Sequence, residues 1–163
     1  MKLVFDFGNS RCKWARLETR LQPSGVLAYD HFAEQLESAL GSLDVPARAV
    51  AVCVGGAAQQ KLLAGWLQQR WGLELERVHP QPAQLGVTNS YQPPERLGAD
   101  RWAALIGARA RTALAVCVVD CGTAVTVDAL DAAGVFRGGV ILPGLALQRA
   151  ALTQGTQGIR ETE

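Results

Sequence analysis

Short apolar runs alternate with polar and glycine-rich stretches along this chain, and one order of elements occurs twice. Runs of this length between turn residues predict buried β-strands, and a helical pattern follows each set of three. The predicted strands are residues 3–5, 13–17 and 26–29, and then 116–119, 125–130 and 139–142. Turns are predicted at 23–25 and 131–134, and helices through 34–36 and from Pro143. The repeat predicts two related α/β lobes.

Between the two copies, the pattern is that of alternating strands and helices. Residues 48–54 form a near-continuous apolar run, which predicts a strand buried on both faces. Apolar residues then recur at helical spacing up to Trp71, and Gly72 marks the predicted helix end. Residues 79–97 contain four prolines and little periodicity, which predicts a long functional loop before a helix at 103–111. We therefore expect a first lobe at 1–114, with the loop at 79–102, and a second lobe at 115–163.

Each copy carries the same signature near the end of its first strand. The two signatures are Asp6-Phe-Gly-Asn-Ser10 and Asp120-Cys-Gly-Thr-Ala124. The glycine lets the backbone approach an anion, and hydroxyl or amide side chains can donate hydrogen bonds to phosphate oxygens. The carboxylate can hold a hydrated divalent cation that in turn binds phosphate. One Asp-x-Gly is typical of an ordinary strand-ending turn, but two in similar contexts predict a nucleotide between the lobes.

Composition narrows the classes of function. The 163 residues are 48% hydrophobic and carry a net charge of +1 with acids and bases interspersed, which favours small-molecule partners over nucleic acid or a membrane surface. No apolar run reaches membrane-spanning length, and Met1 to Asp6 is too short for a signal peptide, so we expect a cytoplasmic protein. The four cysteines form no Cys-x-x-Cys pair, which predicts reduced thiols rather than disulfides or a zinc site.

Asp100 and Arg101 follow the proline-bearing loop at the predicted start of a helix. Backbone N–H groups and the helix dipole favour anions at such a position. In one interpretation Asp100 is only the N-cap of the helix. In the other, Arg101 and Gly98 help to form a site for a carboxylate substrate, and Asp100 accepts a proton from it.

Taken together, these motifs resemble those of type III pantothenate kinases, in the order found in that family. The matching stretches are residues 6–10 with Lys13 and Trp14, 89–91 with 98–102, 120–128, and 138–144. The resemblance implies the acetate and sugar kinase/Hsp70/actin fold, with two ribonuclease-H-like lobes and usually a homodimer. It also implies ATP-dependent phosphorylation of pantothenate, the first step of coenzyme A biosynthesis, with Mg²⁺ and a monovalent cation, K⁺ or NH4⁺.

The resemblance further implies roles for single residues. For the ATP site these residues are Asp6, Gly8, Asn9, Ser10, Lys13, Gly122, Thr123 and Ala124. For the pantothenate site they are Tyr91, Gly98, Asp100 and Arg101, with Asp100 as the catalytic base. For the cations they are Asp6 and Asp120.

Two further expectations concern the extent of the chain and its role. By comparison with the first copy, we expect the second lobe to lack roughly sixty or more residues. The resemblance places an adenosine-side glycine motif in that part. A regulatory or accessory protein on the same scaffold remains an alternative, because the family includes Bvg accessory factors, first described as transcriptional activators. A different kinase or phosphatase of the superfamily is a third possibility.

Overall fold

The computed structural model describes residues 1–156. Within this part of the chain, contacts define two compact units. One unit comprises Met1–His79 with Gly98–Ala103, and the other comprises Pro80–Leu97 with the residues from Ala104 onward. The lobe boundary between residues 114 and 115 was predicted from the sequence repeat. The contacts do not test it, so it stays a prediction. None of the helices described here is long and apolar enough to span a membrane.

The first unit is built on a five-stranded sheet with the order β3-β2-β1-β4-β5. Its strands are β1 (Lys2–Phe7), β2 (Arg11–Leu17), β3 (Leu21–Ala28), β4 (Ala49–Cys53) and β5 (Leu75–Arg77). The first three strands pair antiparallel, whereas β4 runs parallel to both β1 and β5. Because β1 and β4 are parallel neighbours, the loops that follow them lie side by side at one edge of the sheet.

Two helices, α1 (Phe32–Leu40) and α2 (Ala57–Trp71), pack on this sheet. Alternate residues of β1 enter the core, and they are Leu3, Phe5 and Phe7. They form one cluster with buried leucines of the helices, namely Leu36, Leu40, Leu63 and Leu67. The predicted end of α2 is confirmed, because Gly72 adopts a φ of +65° and its N–H donates to carbonyls of the last turn.

The turn predicted at residues 23–25 is wrong, because β3 continues through it from Leu21 to Ala28. Pro23 pairs with Ala15 and Gly25 with Trp14, so the register shifts at Ser24, which forms a bulge. A proline is compatible with this strand because β3 is at the edge of the sheet and pairs with a neighbour on one side only.

The second unit contains a three-stranded antiparallel sheet with the order β10-β9-β8, followed by a helix. Two short strands of the preceding loop come earlier in the chain, so the numbering of this sheet begins at β8. They are β8 (Val116–Cys121), β9 (Ala124–Leu130) and β10 (Phe136–Pro143), and the helix is α4 (Leu145–Gly155). This order matches β1, β2, β3 and α1, so the predicted repeat of three strands and a helix is confirmed.

The proline-bearing loop contains regular structure that the sequence pattern did not reveal. A small hairpin is formed by β6 (Ala83–Gln84) and β7 (Val87–Thr88), and a 3-10 turn follows at Pro94–Arg96. The Thr88 N–H donates to the Gly134 carbonyl at 2.8 Å, which ties the hairpin into the second unit. The next helix, α3 (Ala99–Arg109), begins four residues before the predicted start.

Candidate functional site

Asp6 lies at the penultimate position of β1, opposite Lys13 of β2. Lys13 Nζ is 3.7 Å from Asp6 Oδ2, and the two side chains are 60% and 47% exposed, respectively. An ion pair this open to water contributes little stability. A ligand could therefore replace this ion pair at little cost. A cation could bind Asp6, and a phosphate could bind Lys13.

The first glycine loop, residues 8–10, joins β1 to β2 and exposes Asn9 and Ser10. It is closed by the Gly8 N–H, which donates to the Arg11 carbonyl at 3.1 Å. The carbonyl of Gly8 faces the protein, where the Tyr29 hydroxyl donates to it at 2.5 Å. Predicted nucleotide-binding residues 8–10 thus form one compact turn directly after β1, which ends one residue beyond Asp6.

The loop after β4 supports this turn from the neighbouring strand. The N–H groups of Val54 and Gly55 both donate to the Phe7 carbonyl, at 3.0 and 3.1 Å. A Cβ on Gly55 would lie 2.5 Å from the Gly8 carbonyl oxygen, so a side chain there would displace the turn. Sequence reasoning missed Tyr29 and Gly55 as parts of the site. The glycine pair at residues 55–56, directly beyond the strand end, was the available signal.

The second glycine loop, Gly122 and Thr123, joins β8 to β9 and is also exposed. The Gly122 N–H donates to the Ala124 carbonyl at 2.9 Å, and the Gly144 N–H donates to the Thr123 carbonyl at 2.9 Å. Gly144 has no room for a side chain because the loop carbonyls lie against it. Asp120 is exposed, and it lies at the penultimate position of β8, the position that Asp6 has in β1.

Magnesium was expected at Asp6, and the surrounding side chains allow one mode of binding. Within residues 1–156, no three His, Cys, Asp or Glu side chains are grouped closely enough to hold a metal ion by themselves. Mg²⁺ commonly keeps several waters and binds through one or two carboxylates together with substrate phosphates. A single accessible carboxylate beside a glycine turn fits that mode. The described residues do not form a cage that would bind the ion through protein ligands alone.

Tyr91 lies in the loop of the second unit, on a well-fixed backbone. Asn89 is buried, its Oδ1 accepts from the Tyr91 N–H at 3.0 Å, and its Nδ2 donates to the Pro94 carbonyl at 3.1 Å. The Tyr91 ring packs against Phe136 with centroids 5.2 Å apart. A cavity of about 380 Å³ opens here, and it is lined by Ser90, Tyr91, Gln92 and Arg96. Sequence reasoning missed Arg96, because an arginine in a polar loop has no periodic signal.

Asp100 is the second residue of α3, and its carboxylate turns back on the helix start. Its Oδ1 accepts from the Arg101 N–H at 2.7 Å, and it lies against Gly98, where a Cβ would be 2.5 Å from the same oxygen. The carboxylate thus satisfies a helix-start N–H although Asp100 is not the N-cap residue. Arg101 is only 7% exposed as a whole residue, so little of its surface is open to a ligand.

The predicted site residues therefore fall into separate groups. The structure brings Asp6 and Lys13 together with Gly8, Asn9 and Ser10 in the first unit. It places Asp120 beside Gly122, Thr123 and Ala124 in the second unit. Gly98, Asp100 and Arg101 are adjacent at the start of α3, and Tyr91 lies in the loop before it.

Comparison with known proteins places the chain in a family. The family model for type III pantothenate kinase matches residues 2–163. The chain is 44% identical to the type III pantothenate kinase of Halorhodospira halophila, with 96% of this chain and 65% of that protein covered. It is 40% identical to the one of Acidovorax ebreus, with 96% and 64% covered. The chain thus spans about 65% of the length of these curated relatives.

A solved structure agrees with the fold. A conserved Baf family transcriptional activator from Campylobacter jejuni superposes with a TM-score of 0.59 at 24% identity, covering 99% of this chain and 64% of that chain. Together with the family match, this likeness confirms the α/β fold expected of the acetate and sugar kinase/Hsp70/actin superfamily. The chain belongs to the type III pantothenate kinase family.

Proposed function

We propose that the protein to which this chain corresponds transfers the γ-phosphoryl group of ATP to the primary hydroxyl of pantothenate. The product is 4'-phosphopantothenate, and the reaction is the first step of coenzyme A biosynthesis. The observation that carries the proposal is the repeated glycine turn. In each copy a six-residue strand has aspartate at its fifth position and is followed directly by an exposed glycine loop.

The nucleotide side of the reaction is assigned to these loops. Backbone N–H groups and the Asn9 and Ser10 side chains would bind phosphate oxygens, with Lys13 supplying positive charge. Gly122, Thr123 and Ala124 would do the same from the second loop. Bound Mg²⁺ would neutralise phosphate charge, with Asp6 holding it through its hydration shell. Asp120 is proposed to act on the monovalent cation, K⁺ or NH4⁺.

The acceptor side is assigned to the start of α3 and to the loop before it. Tyr91, Gly98 and Arg101 would position pantothenate, with Arg101 contacting its carboxylate. The hydroxyl oxygen of pantothenate forms the new bond to the γ-phosphorus as the bond from that phosphorus to ADP breaks. The proton of the hydroxyl passes to the Asp100 carboxylate. In a loose transition state this proton moves late, so a carboxylate of ordinary basicity is sufficient.

Assembly and location are part of the same proposal. We infer a homodimer, the assembly that the resemblance to type III pantothenate kinases implies. We place the protein in the cytoplasm, where ATP and the precursors of coenzyme A are available.

The proposal is tested by pantothenate-dependent ADP release in the presence of ATP, Mg²⁺ and K⁺, using a protein of confirmed intact mass. Omission of pantothenate is the control for background ATP hydrolysis. ADP release that requires pantothenate supports the kinase. Release with another acceptor alone would favour a different kinase of the superfamily, and nucleotide binding without any phosphorylated product would favour the accessory role.

A further inference from the structure

Tyr29 contacts the first glycine loop from the protein side. It lies 21 residues after Gly8, and its hydroxyl donates a hydrogen bond of 2.5 Å to the Gly8 carbonyl. That carbonyl belongs to the turn in which the proposed phosphate-binding residues Asn9 and Ser10 lie. A carbonyl oxygen that faced the nucleotide would repel its phosphates, so the donor that holds it inward affects the site directly.

The position of the Tyr29 hydroxyl is fixed by its surroundings. Its ring packs edge-on against Phe32 with centroids 6.3 Å apart, and Phe32 packs against Phe7 at 5.9 Å. The Gln59 side chain donates to the Tyr29 carbonyl at 3.2 Å. Burial raises the pKa of Tyr29 to about 12, with nearby Cys12 and Asp6 as further causes, so the hydroxyl keeps its proton at neutral pH. Tyr29 therefore remains a donor wherever the protein is folded near neutrality.

Two glycines make room for this contact. Gly56 adopts a φ of +65°, and a Cβ on it would lie 2.5 Å from the Tyr29 hydroxyl oxygen. A Cβ on Gly55 would lie equally close to the Gly8 carbonyl oxygen. A side chain at either position would therefore push Tyr29 or the loop out of place, and the left-handed backbone at Gly56 disfavours one independently.

The second copy has a donor at the same place. Ala28, which ends β3, pairs with Arg11 at the start of β2, just as Pro143, which ends β10, pairs with Ala124 at the start of β9. Tyr29 and Gly144 are thus equivalent, because each directly follows the third strand of its copy. Gly144 donates through its backbone N–H to the Thr123 carbonyl of the second loop. Both glycine loops are held from this position, one by a side chain and the other by the main chain.

We propose that Tyr29, with Gly55 and Gly56 behind it, is a positioning residue that fixes residues 8–10 in the conformation that receives the phosphates of the nucleotide. The nature of the ligand rests on the proposed function, whereas the anchoring of the loop does not. Loss of one such hydrogen bond is expected to change a local equilibrium several-fold, up to about tenfold.

Tyr29→Phe tests the proposal, because it removes the hydroxyl and keeps the ring. Two readouts are measured, amide hydrogen exchange at Asn9 and Ser10 without nucleotide, and MgATP affinity by calorimetry. Both should change, with exchange faster and affinity weaker by up to about tenfold. The matched control is Glu37→Ala, which removes the 2.8 Å bond from Trp66 Nε1 to Glu37 between α1 and α2, away from the loop. It should alter neither readout.

Gly56→Ala provides a second route to the same effect, since its methyl group would displace the Tyr29 hydroxyl. Unchanged exchange at Asn9 and Ser10 in Tyr29→Phe would overturn the proposal, whatever the activity. Faster exchange with unaltered MgATP affinity would overturn it as well, because the loop would then be freed without consequence for the ligand. If the unaltered protein bound no MgATP, the proposed function would be contradicted, and exchange alone would decide whether Tyr29 fixes the loop.

Discussion

Asp6 and Lys13 face each other across β1 and β2, with Lys13 Nζ 3.7 Å from Asp6 Oδ2. At the equivalent place in the second unit, Asp120 pairs with Thr126. The strand pairing therefore sets a positive charge beside the first carboxylate and a neutral hydroxyl residue beside the second. The two aspartates therefore lie in different electrostatic surroundings, so substituting each one tests its proposed cation role separately.

Asp6→Asn should raise the Mg²⁺ concentration needed for half-maximal activity by about tenfold or more, because the variant loses the charge that holds the hydrated ion. The measurement is initial rate against Mg²⁺ at fixed ATP. Val4→Ala in the same strand is the control, since it should lower stability without changing that dependence. Full activity of Asp6→Asn at limiting Mg²⁺ would show that the assignment is wrong.

Asp120→Asn should weaken the response to K⁺ and leave the Mg²⁺ requirement close to that of the unaltered protein. The reason is that the substitution removes charge at the second glycine loop only. Rates are compared across a K⁺ series with Na⁺ holding ionic strength constant. A variant with an unaltered K⁺ response would remove Asp120 from the cation assignment.

Asp100→Asn should lower kcat by at least about a hundredfold, the usual scale for loss of a positioned base, with the fold retained. Arg101→Ala should mainly raise the pantothenate KM if its guanidinium contacts the substrate. The alternative is that the Asp100 carboxylate only accepts the hydrogen bond from the Arg101 N–H at the helix start. In that case Asp100→Ala should lower the stability by about 1 kcal/mol, and Asp100→Asn should retain it. A stable, fully active Asp100→Asn enzyme would leave only the structural role.

The stability of the protein should fall above pH 9, partly through Cys12. Burial, followed by the negative charge of Asp6, raises the pKa of the Cys12 thiol from 9.0 to about 12. Below pH 9 the thiol is protonated in both states, whereas above pH 9 only the unfolded state releases the proton. The free energy of unfolding should therefore decline as pH rises from 9 to about 12, with a contribution of about 1 kcal/mol lost by pH 10.

Urea unfolding at pH 8, 9 and 10 measures this decline. Cys12→Ala should be less stable overall and should show a smaller loss between pH 9 and 10. Cys117→Ala, which removes an exposed cysteine, should keep the decline of the unaltered protein. An identical decline in the Cys12 variant would contradict the account of the buried thiol.

Self-association of the 163-residue polypeptide is expected from the apolar residues that the second unit exposes. Val140, Ile141 and Leu142 of β10 are each about half exposed or more. Such a contiguous apolar strand favours contact with another chain. Light scattering at micromolar concentration should therefore give a dimer or a larger species. Ile141→Lys should shift the distribution towards monomer, and a stable monomer of the unaltered chain would refute the expectation.

Local patterns predicted the elements of this fold better than its long-range contacts. The repeat of three strands and a helix could be predicted, because apolar runs and turn residues are local signals. The course of β3 through Pro23 could not, since edge position and a bulge depend on pairing with β2. The strand at 49–53 also departs from prediction, because Val50 and Val52 are only partly buried.

The candidate site shows the same division. Asp6, Gly8 and their counterparts in the second copy are adjacent in sequence, so a motif reveals them. The bond from Tyr29 to Gly8 spans 21 residues and depends on three strands pairing in register, and no spacing rule encodes it. The burial of Arg101 could not be predicted either, because arginine is mostly exposed in folded proteins.

The proposed function requires pantothenate to accept the γ-phosphoryl group of ATP. Mass spectrometry of pantothenate incubated with the protein, MgATP and K⁺ tests it most directly, with Asp100→Asn assayed in parallel. We expect 4'-phosphopantothenate in an amount equal to the ADP formed, and at least about a hundredfold less product with the variant. No phosphorylated pantothenate from an intact, folded protein that binds MgATP, or equal product from the variant, would contradict it.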